Sequence, residues 1–277
     1  MTWHLTPDIE EFELAAKEFL LTDPVGNTVL LTVAATLARN GVEAYGGDPA
    51  QFGWYQGEDG AVRGAFVRTP PRPVLISTVP AAAVEPLLTI EGIGGAVSGP
   101  AAEVTALAEA WVAASGRGST LGMRRRLYRL AELTPPSPMP DGYARLATPA
   151  DRDLLIDWFE AFSGDIGQPG GIQPSRIDDR IQDGLLLLWE VDGVPVAMAA
   201  ATPPVGGTAR IAPVYTPRAL RGRGYAGAVT AELSRRIRDA GHEVLLFTDL
   251  DNPTSNALYQ RIGYRPLGDY LDVELER

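Results

Sequence analysis

Residues 214–227 read VYTPRALRGRGYAG. An apolar start, Val214-Tyr215-Thr216, meets a proline and then Gly222, Gly224 and Gly227. Val229, Leu233 and Ile237 follow at the spacing of one helix stripe. The order is strand, glycine-rich turn, helix. The first turn of a helix has N–H groups without intrahelical acceptors and lies at the positive end of the helix dipole. Glycine there lets a ligand approach the backbone closely. Such a turn is an anion site, and phosphate is its usual guest. Arg218, Arg221 and Arg223 add positive charge beside it. The competing reading is that Gly222 and Gly224 only make a tight turn.

The surrounding composition points to a small anion. The 277 residues carry a net charge of −11, yet between positions 210 and 238 there are seven arginines and one acid, Glu232. An acidic chain with one basic island suits a small anionic ligand and disfavours nucleic acid, which needs a broad basic surface. There is no cysteine, so disulfides, thiol nucleophiles and Cys-built zinc sites are excluded. The two histidines, His4 and His242, lie far apart, so neither a metal centre nor a Ser-His-Asp triad is expected. The opening MTWHLTPDIEEFEL lacks the basic and apolar regions of a signal peptide. The longest apolar helix-like stretch, residues 28–38, is far shorter than the roughly 20 residues that span a bilayer. The expectation is a cytoplasmic chain, monomer or homodimer, with no membrane and no nucleic-acid partner.

Residues 134–142, TPPSPMPDG, contain four prolines and a glycine, and read as a linker between domains at 1–133 and 143–277. The first half opens with an amphipathic helix carrying Ile9, Phe12, Ala16, Phe19 and Leu20. A second helix starts at Asp23-Pro24. Strands are expected at 52–56, 61–68 and 73–79, a helix at 81–89, a strand near 94–98, a helix from Gly99-Pro100 and a strand at 121–133. The second half reads as a strand at 143–147, a helix capped by Thr148-Pro149, a glycine-rich loop at 164–171 and a helix at 174–183. Strands at 185–191, 194–201 and 208–216 follow, then a helix at 224–240, a strand at 244–249, a helix at 253–262 and one or two closing strands. The two halves share this rhythm, which suggests a duplicated fold.

Gly222-Arg223-Gly224-Tyr225-Ala226-Gly227 satisfies G-x-G-x-x-G, the dinucleotide fingerprint, but that fold places the motif in its first βα turn and needs several further βα units. A dinucleotide-binding oxidoreductase stays as an alternative on that match. Two other patterns fit better together. Arg221-x-x-Gly224-x-Ala226 resembles the [Q/R]-x-x-G-x-[G/A] pyrophosphate loop of the GCN5-related N-acetyltransferase (GNAT) superfamily. Asn252, Ser255, Leu258, Tyr259, Arg261, Gly263 and Tyr264 resemble that family's next motif, N-x-x-[S/A]-x-x-[L/I]-Y-x-[K/R]-x-G-[F/Y].

The resemblance implies an α+β fold: a mixed, mostly antiparallel sheet flanked by helices, as two GNAT-like domains in tandem. It implies acetyl-CoA or another acyl-CoA as donor and an amine, on a small molecule or a protein, as acceptor. Val214, Tyr215 and Thr216 would pair with the pantetheine arm as an added strand would. Gly222, Arg223, Gly224, Tyr225, Ala226 and Gly227, with Arg221, would hold the pyrophosphate. Asn252, Ser255 and Asn256 would contact CoA. Tyr259 would give a proton to the departing thiolate; plain packing is the other reading of Tyr259. Asn252 is also a natural helix N-cap.

No general base is visible: Asp249 and Glu190 are candidates, each more often a solvated charge. The loop 164–171 and the helix at 149–162 would face the acceptor, with Trp158, Phe159 and Phe162 in the core. In the first half the step Leu75-Ile76-Ser77-Thr78-Val79-Pro80-Ala81 has no glycine and no arginine, so that half reads as a degenerate copy without a CoA site. Gly92-x-Gly94-Gly95 is a possible phosphate loop followed by a strand-like run, and Arg124-Arg125-Arg126 reads as a strand's solvent face or a phosphate contact. The resulting expectation is an acyl-CoA-dependent N-acyltransferase acting by direct attack in a ternary complex, with no metal. A non-catalytic CoA-binding or sensing protein is the alternative.

Overall fold

The structure is a computed structural model that describes residues 1–46, 48–167 and 173–276. In chain order the first half holds β1 (Thr2–Thr6), α1 (Ile9–Leu21), α2 (Thr28–Asn40), β2 (Gln51–Gln56), β3 (Val62–Arg68), β4 (Val74–Ile76), α3 (Ala81–Leu88), β5 (Ala96–Pro100), α4 (Ala101–Ser115) and β6 (Ser119–Leu130). The second half holds β7 (Tyr143–Leu146), α5 (Arg152–Asp165), α6 (Pro174–Gln182), β8 (Leu186–Val191), β9 (Val194–Ala201), β10 (Thr208–Tyr215), α7 (Tyr225–Asp239), β11 (Glu243–Asp249), α8 (Pro253–Arg261) and β12 (Tyr264–Leu275). Both halves run β-α-α-β-β-β-α-β-α-β, the duplication that the sequence suggests. The N-terminal strand β1 is the element the sequence reading lacks. It is five residues long, pairs antiparallel with β2, and its Trp3 ring lies 5.4 Å from Tyr55 and 5.5 Å from Phe66.

The compact units are not the contiguous halves 1–133 and 143–277. One unit comprises Met1–Leu127, Asp249–Asp251 and Leu267–Arg277; the other comprises Tyr128–Thr248 and Asn252–Pro266. The reason for the first is strand pairing. β12 lies antiparallel against β5, in register from Tyr270↔Pro100 to Glu274↔Ala96. Val273 and Leu275 thereby enter a core with Phe66, Ile76, Leu87, Val97 and Leu107. Arg125 donates to Asp272 and to Ser98, Arg126 grips both carboxylate oxygens of Asp269, and Arg124 binds Asp251. The arginine run at 124–126 is therefore built into ion pairs of the first unit.

The proline-rich run belongs to the second unit and is no free tether. Thr134 N–H donates to the Ile262 carbonyl, and Trp189 Nε1 donates to the Asp141 carbonyl. Within that unit the strands lie in the order β7-β8-β9-β10-β11, antiparallel except for the β10–β11 pair. The first unit's β1-β2-β3-β4-β5 is antiparallel except for β4–β5, the equivalent pair. Neither is the doubly wound parallel sheet that a dinucleotide domain requires.

β8 and β9 explain the continuous apolar runs in the second unit, because successive side chains point to opposite faces and both faces are covered. Leu187, Trp189, Ala197, Ala199 and Ala201 pack with Val229, Leu233 and Ile237 of α7. Leu186, Leu188, Met198 and Ala200 pack with Leu155, Trp158 and Phe159 of α5. The aromatic side of α5 is core, as expected. Among the described residues no helix is long and apolar enough to cross a membrane.

A fragment of residues 1–133 lacks Val273, Leu275 and the partner of β5. It is expected to show no cooperative melting by far-UV circular dichroism, and to regain it when a peptide of residues 264–277 is added. Cooperative melting of the fragment alone would mean that the first unit is complete without the C-terminal strand.

Candidate active site

β10 and β11 pair over Thr208↔Glu243, Ala209↔Val244 and Arg210↔Leu245, and their ladder ends there, although β10 continues to Tyr215 and β11 to Asp249. On the other side of β10 the register shifts between Ile211 and Val214, where Pro213 has no N–H to offer a ladder. Past that point Val214 and Tyr215 pair with Ala199 and Met198 of β9. The edge they turn toward β11 is thus an open strand edge inside the sheet, of the kind an extended ligand can complete. Thr216, just beyond, is buried, and its Oγ1 has no hydrogen-bond partner.

The glycine turn sits at the end of this strand. Gly222 and Gly224 have φ of 80° and 86°, and a Cβ at Gly222 would meet nothing within 4 Å, so the demand there is conformational. Gly224 is the N-cap of α7 and gives no side-chain cap, and Ala228 N–H is bonded to its carbonyl. The N–H groups of Tyr225, Ala226 and Gly227 lie ahead of the first intrahelical bond. Gly227 has a packing role: a Cβ there would lie 3.0 Å from Leu258 Cδ1 and 3.5 Å from Pro136 Cγ. Pro140 lies 3.7 Å from the position a Gly224 Cβ would take. The segment read from sequence as a linker is a wall of this turn.

The arginines divide unexpectedly. Asp165, the last residue of α5, accepts from Arg218 Nη2 at 2.5 Å and from Arg221 Nη2. These guanidinium groups hold its carboxyl below the usual range. Arg221 Nε also donates to the Thr216 carbonyl at 2.9 Å, and its guanidinium lies 5.9 Å from the Tyr215 ring centroid. Arg221, expected on the pyrophosphate, therefore ties the turn to the strand end and to α5. Arg235, Arg236 and Arg238 pair with Glu232 and Asp239 at the far end of α7. Arg223 is exposed and has no ion pair or hydrogen bond among the described residues. Asp165 was missed because a lone acid more than 50 positions upstream carries no local pattern.

On α8, Tyr259 is 9% exposed, with its ring edge-on to Tyr264 at 6.0 Å. Tyr264 shares its hydroxyl hydrogen bond with Ser234, whereas the Tyr259 hydroxyl has no partner among the described residues. Burial pushes the Tyr259 hydroxyl up to about 12. Asn252 Oδ1 accepts the Ser255 N–H at 3.0 Å, the expected N-cap. Asn256 Oδ1 accepts from Tyr128 Oη at 2.9 Å and Thr248 Oγ1 at 2.5 Å, and its Nδ2 donates to the Asn252 carbonyl. Its amide is a brace of the fold.

Of the candidate bases, Glu190 accepts from Tyr143 Oη and Arg145, and Arg145 also grips both oxygens of Asp151. Arg145 foremost, then Tyr143, holds Glu190 below the usual carboxylate range, the opposite of what a base needs. Asp249 Oδ1 accepts the Asp251 N–H. Of the loop at 164–171, residues 168–171 lie outside the described residues. Among the described residues no group of three or more His, Asp or Glu is placed to hold a metal ion.

Residues 195–271 match the model of the FR47-like protein family. No curated protein matches the sequence. Solved structures cover the whole chain. A GNAT-family acetyltransferase from Colwellia psychrerythraea matches with a TM-score of 0.68 and 11% identity over 100% of both chains. A GCN5-related N-acetyltransferase from Sphaerobacter thermophilus matches with 0.66 and 19% over 99% of this chain and 96% of that one. Another from Kribbella flavida gives 0.56 and 18% over 90% and 96%. At these identities the likeness is one of fold. It bears out the expected α+β fold of two GNAT-like domains.

The Asp151 carboxyl lies low, from an ordinary 3.8 to about 2, chiefly through Arg145. A lowered folded-state pKa stabilises above the ordinary value, and the contribution is lost as pH falls toward 2. It amounts to about 2 kcal/mol at neutral pH. Asp151→Asn is expected to lower Tm at pH 7 and to flatten the decline of Tm between pH 4 and pH 2, read by differential scanning calorimetry.

Proposed function

We propose that this chain, which has the fold of the GCN5-related N-acetyltransferases across both units and an FR47-like match at residues 195–271, is an acyl-CoA-dependent N-acyltransferase with its donor site in the second unit. The observation that carries the proposal is the parting of β10 from β11 after three residue pairs, directly beside a left-handed glycine turn. An extended arm and an anionic group can be met there at once. Acetyl-CoA is the donor of first choice and a primary amine, small or on a protein, the acceptor.

The residues present fit such a donor. The open edge at Val214, Tyr215 and Thr216 offers strand-like hydrogen bonds, and the Thr216 hydroxyl lacks a partner. The N–H groups from Gly222 to Gly227 offer the pyrophosphate cradle, and Arg223 is the cation left for it. Arg221 shapes the turn through Thr216 and Asp165. Asn252 and Ser255 stand at the start of α8, and Asn256 braces that helix.

Tyr259 is the residue for the departing sulfur. A hydroxyl raised to about 12 stays protonated at every working pH, so it acts as a donor and not as a base. Full transfer from such a group to a thiolate is uphill, since thiols titrate near about 8.5. Its contribution is a hydrogen bond to sulfur as the C–S bond breaks, while the proton lost by the attacking nitrogen balances the one the thiol gains. A backbone N–H on the β10 edge would meet the developing oxyanion. With no cysteine in the chain, direct amine attack needs no thiol acyl-enzyme.

The first unit serves as a degenerate copy in this reading. Its α3 is capped by Pro80, which has no N–H, and a Cβ on Gly99 would fall 2.5 Å from Ile76 Cγ1, so the Ile76 side chain occupies the space beside β5.

Acetyl-CoA at about 100 times its Kd is expected to raise Tm by about 2–4 °C, with NAD giving no shift and Gly224→Glu abolishing the effect. No shift at saturation would sink the acetyl donor. Tyr259→Phe is expected to lower kcat by about a hundredfold or more, with KM for acetyl-CoA nearly unchanged. Unchanged turnover at all pH values would remove Tyr259 from the chemistry. Full binding of acetyl-CoA with no turnover across an amine panel would favour a sensing role.

A further inference from the structure

One end of the first unit's sheet carries a cavity of about 690 Å³ that opens to solvent. It lies where β1 and β3 finish and where β2 and β5 begin, at the opposite end of β4 from the step into α3. Leu5, Pro7, Pro49 and Ala50 supply an apolar side, while Gln51, Arg68 and Glu91 supply polar groups.

Arg68 is the informative residue. It is half-buried, and among the described residues it has no ion pair and no hydrogen bond. That is unusual in a chain whose arginines at 63, 124, 125, 126, 129, 145, 152, 218 and 221 all hold carboxylates. Its guanidinium lies close over the backbone at Gly92. Gly92 has φ of 89°, and a Cβ there would lie 2.8 Å from Arg68 Cζ, 3.0 Å from Nε and 3.1 Å from Nη1. The glycine read from sequence as part of a phosphate loop instead makes room for an arginine, and the Ile93 N–H of that loop is already bonded to the Ile90 carbonyl.

Gln51 is directly opposite Arg68 on the neighbouring strand, and its Oε1 is buried without a donor. Glu91, exposed on the rim, is likewise without a partner among the described residues. One concavity therefore holds an unpaired cation and an unpaired anion, while the Gln51 oxygen has no exposed surface to offer a ligand. A fork of N–H donors takes a carboxylate or a phosphate through two parallel bonds. A free carboxylate calls for N–H donors with positive charge. A phosphate dianion would meet Glu91 unfavourably in an acidic chain.

We propose that this cavity binds a small zwitterion of the α-amino-acid class, its carboxylate on Arg68, its ammonium toward Glu91, and an aliphatic side chain against Leu5, Pro7, Pro49 and Ala50. Binding there needs no acyl donor.

The test is isothermal titration calorimetry of the full chain, without acyl-CoA, using L-leucine and its two halves, 4-methylpentanoate and 3-methylbutylamine. The expected result is saturable one-site binding of L-leucine, with each half at least roughly tenfold weaker. Arg68→Gln, which breaks no side-chain hydrogen bond or ion pair, is expected to keep Tm and weaken binding about tenfold or more. Gly92→Ala should weaken it as well by displacing the guanidinium. If Arg68→Gln fails to fold, Glu91→Gln carries the same test. Gly224→Glu is expected to bind L-leucine like the unaltered chain. No binding up to about 10 mM, equal binding of 4-methylpentanoate, or unchanged binding in both Arg68→Gln and Glu91→Gln would overturn the proposal. Binding lost in Gly224→Glu and kept in Arg68→Gln would also overturn it, since the amino acid would then sit in the second unit.

Discussion

The parallel ladder of β10 with β11 lasts three residue pairs, and the candidate active site depends on where it stops. A ladder carried to Tyr215 would leave no strand edge to complete and no gap beside the glycine turn. Pro213 interrupts the donor series of β10, the register on β9 shifts at the same place, and the strand pairing of Val214 and Tyr215 beyond it is with β9 alone. In the first unit β4 is three residues long and pairs with β5 only at Val74 and Leu75, and there the Ile76 side chain lies against Gly99. The equivalent step thus has a side chain packed beside it and no glycine turn after it.

Once the strands part, the turn must be held by other means, and a single carboxylate does much of this. Asp165 takes two arginines of the turn, one of which also reaches the Thr216 carbonyl and lies over Tyr215. Exposed ion pairs stabilise little. Their effect here is geometric, because they fix the turn between the end of a strand and the end of α5. Pro136 and Pro140 add a rigid apolar wall on the other side, and Gly227 lets Leu258 of α8 come close. Asp165 cancels one of the two charges that Arg218 and Arg221 bring, and Arg223 adds a further cation without an ion pair among the described residues.

Each unit is also completed by chain from outside its own half. The C-terminal strand puts Val273 and Leu275 into the first unit's core, and residues 128–142 belong to the second. Burying two such aliphatic side chains is worth about 1.5–3 kcal/mol each, a sizeable share of the stability of an ordinary domain.

By itself the sequence determined whatever is local. Period-two and helical apolar patterns placed most strands and helices, the glycines marked the turn after β10, and the spacing from Arg221 to Tyr264 pointed to one family. The five-residue β1 escaped because so short a strand carries little periodicity. Tertiary structure decided everything that depends on a distant partner: that Arg221 holds Asp165, that Asn256 braces Tyr128 and Thr248, that the proline run walls the turn, and that β12 pairs with β5. It also decided that Arg68 has no carboxylate partner among the described residues. A side chain's partner is set by which backbone segments pack together, and no window of a dozen residues contains that information.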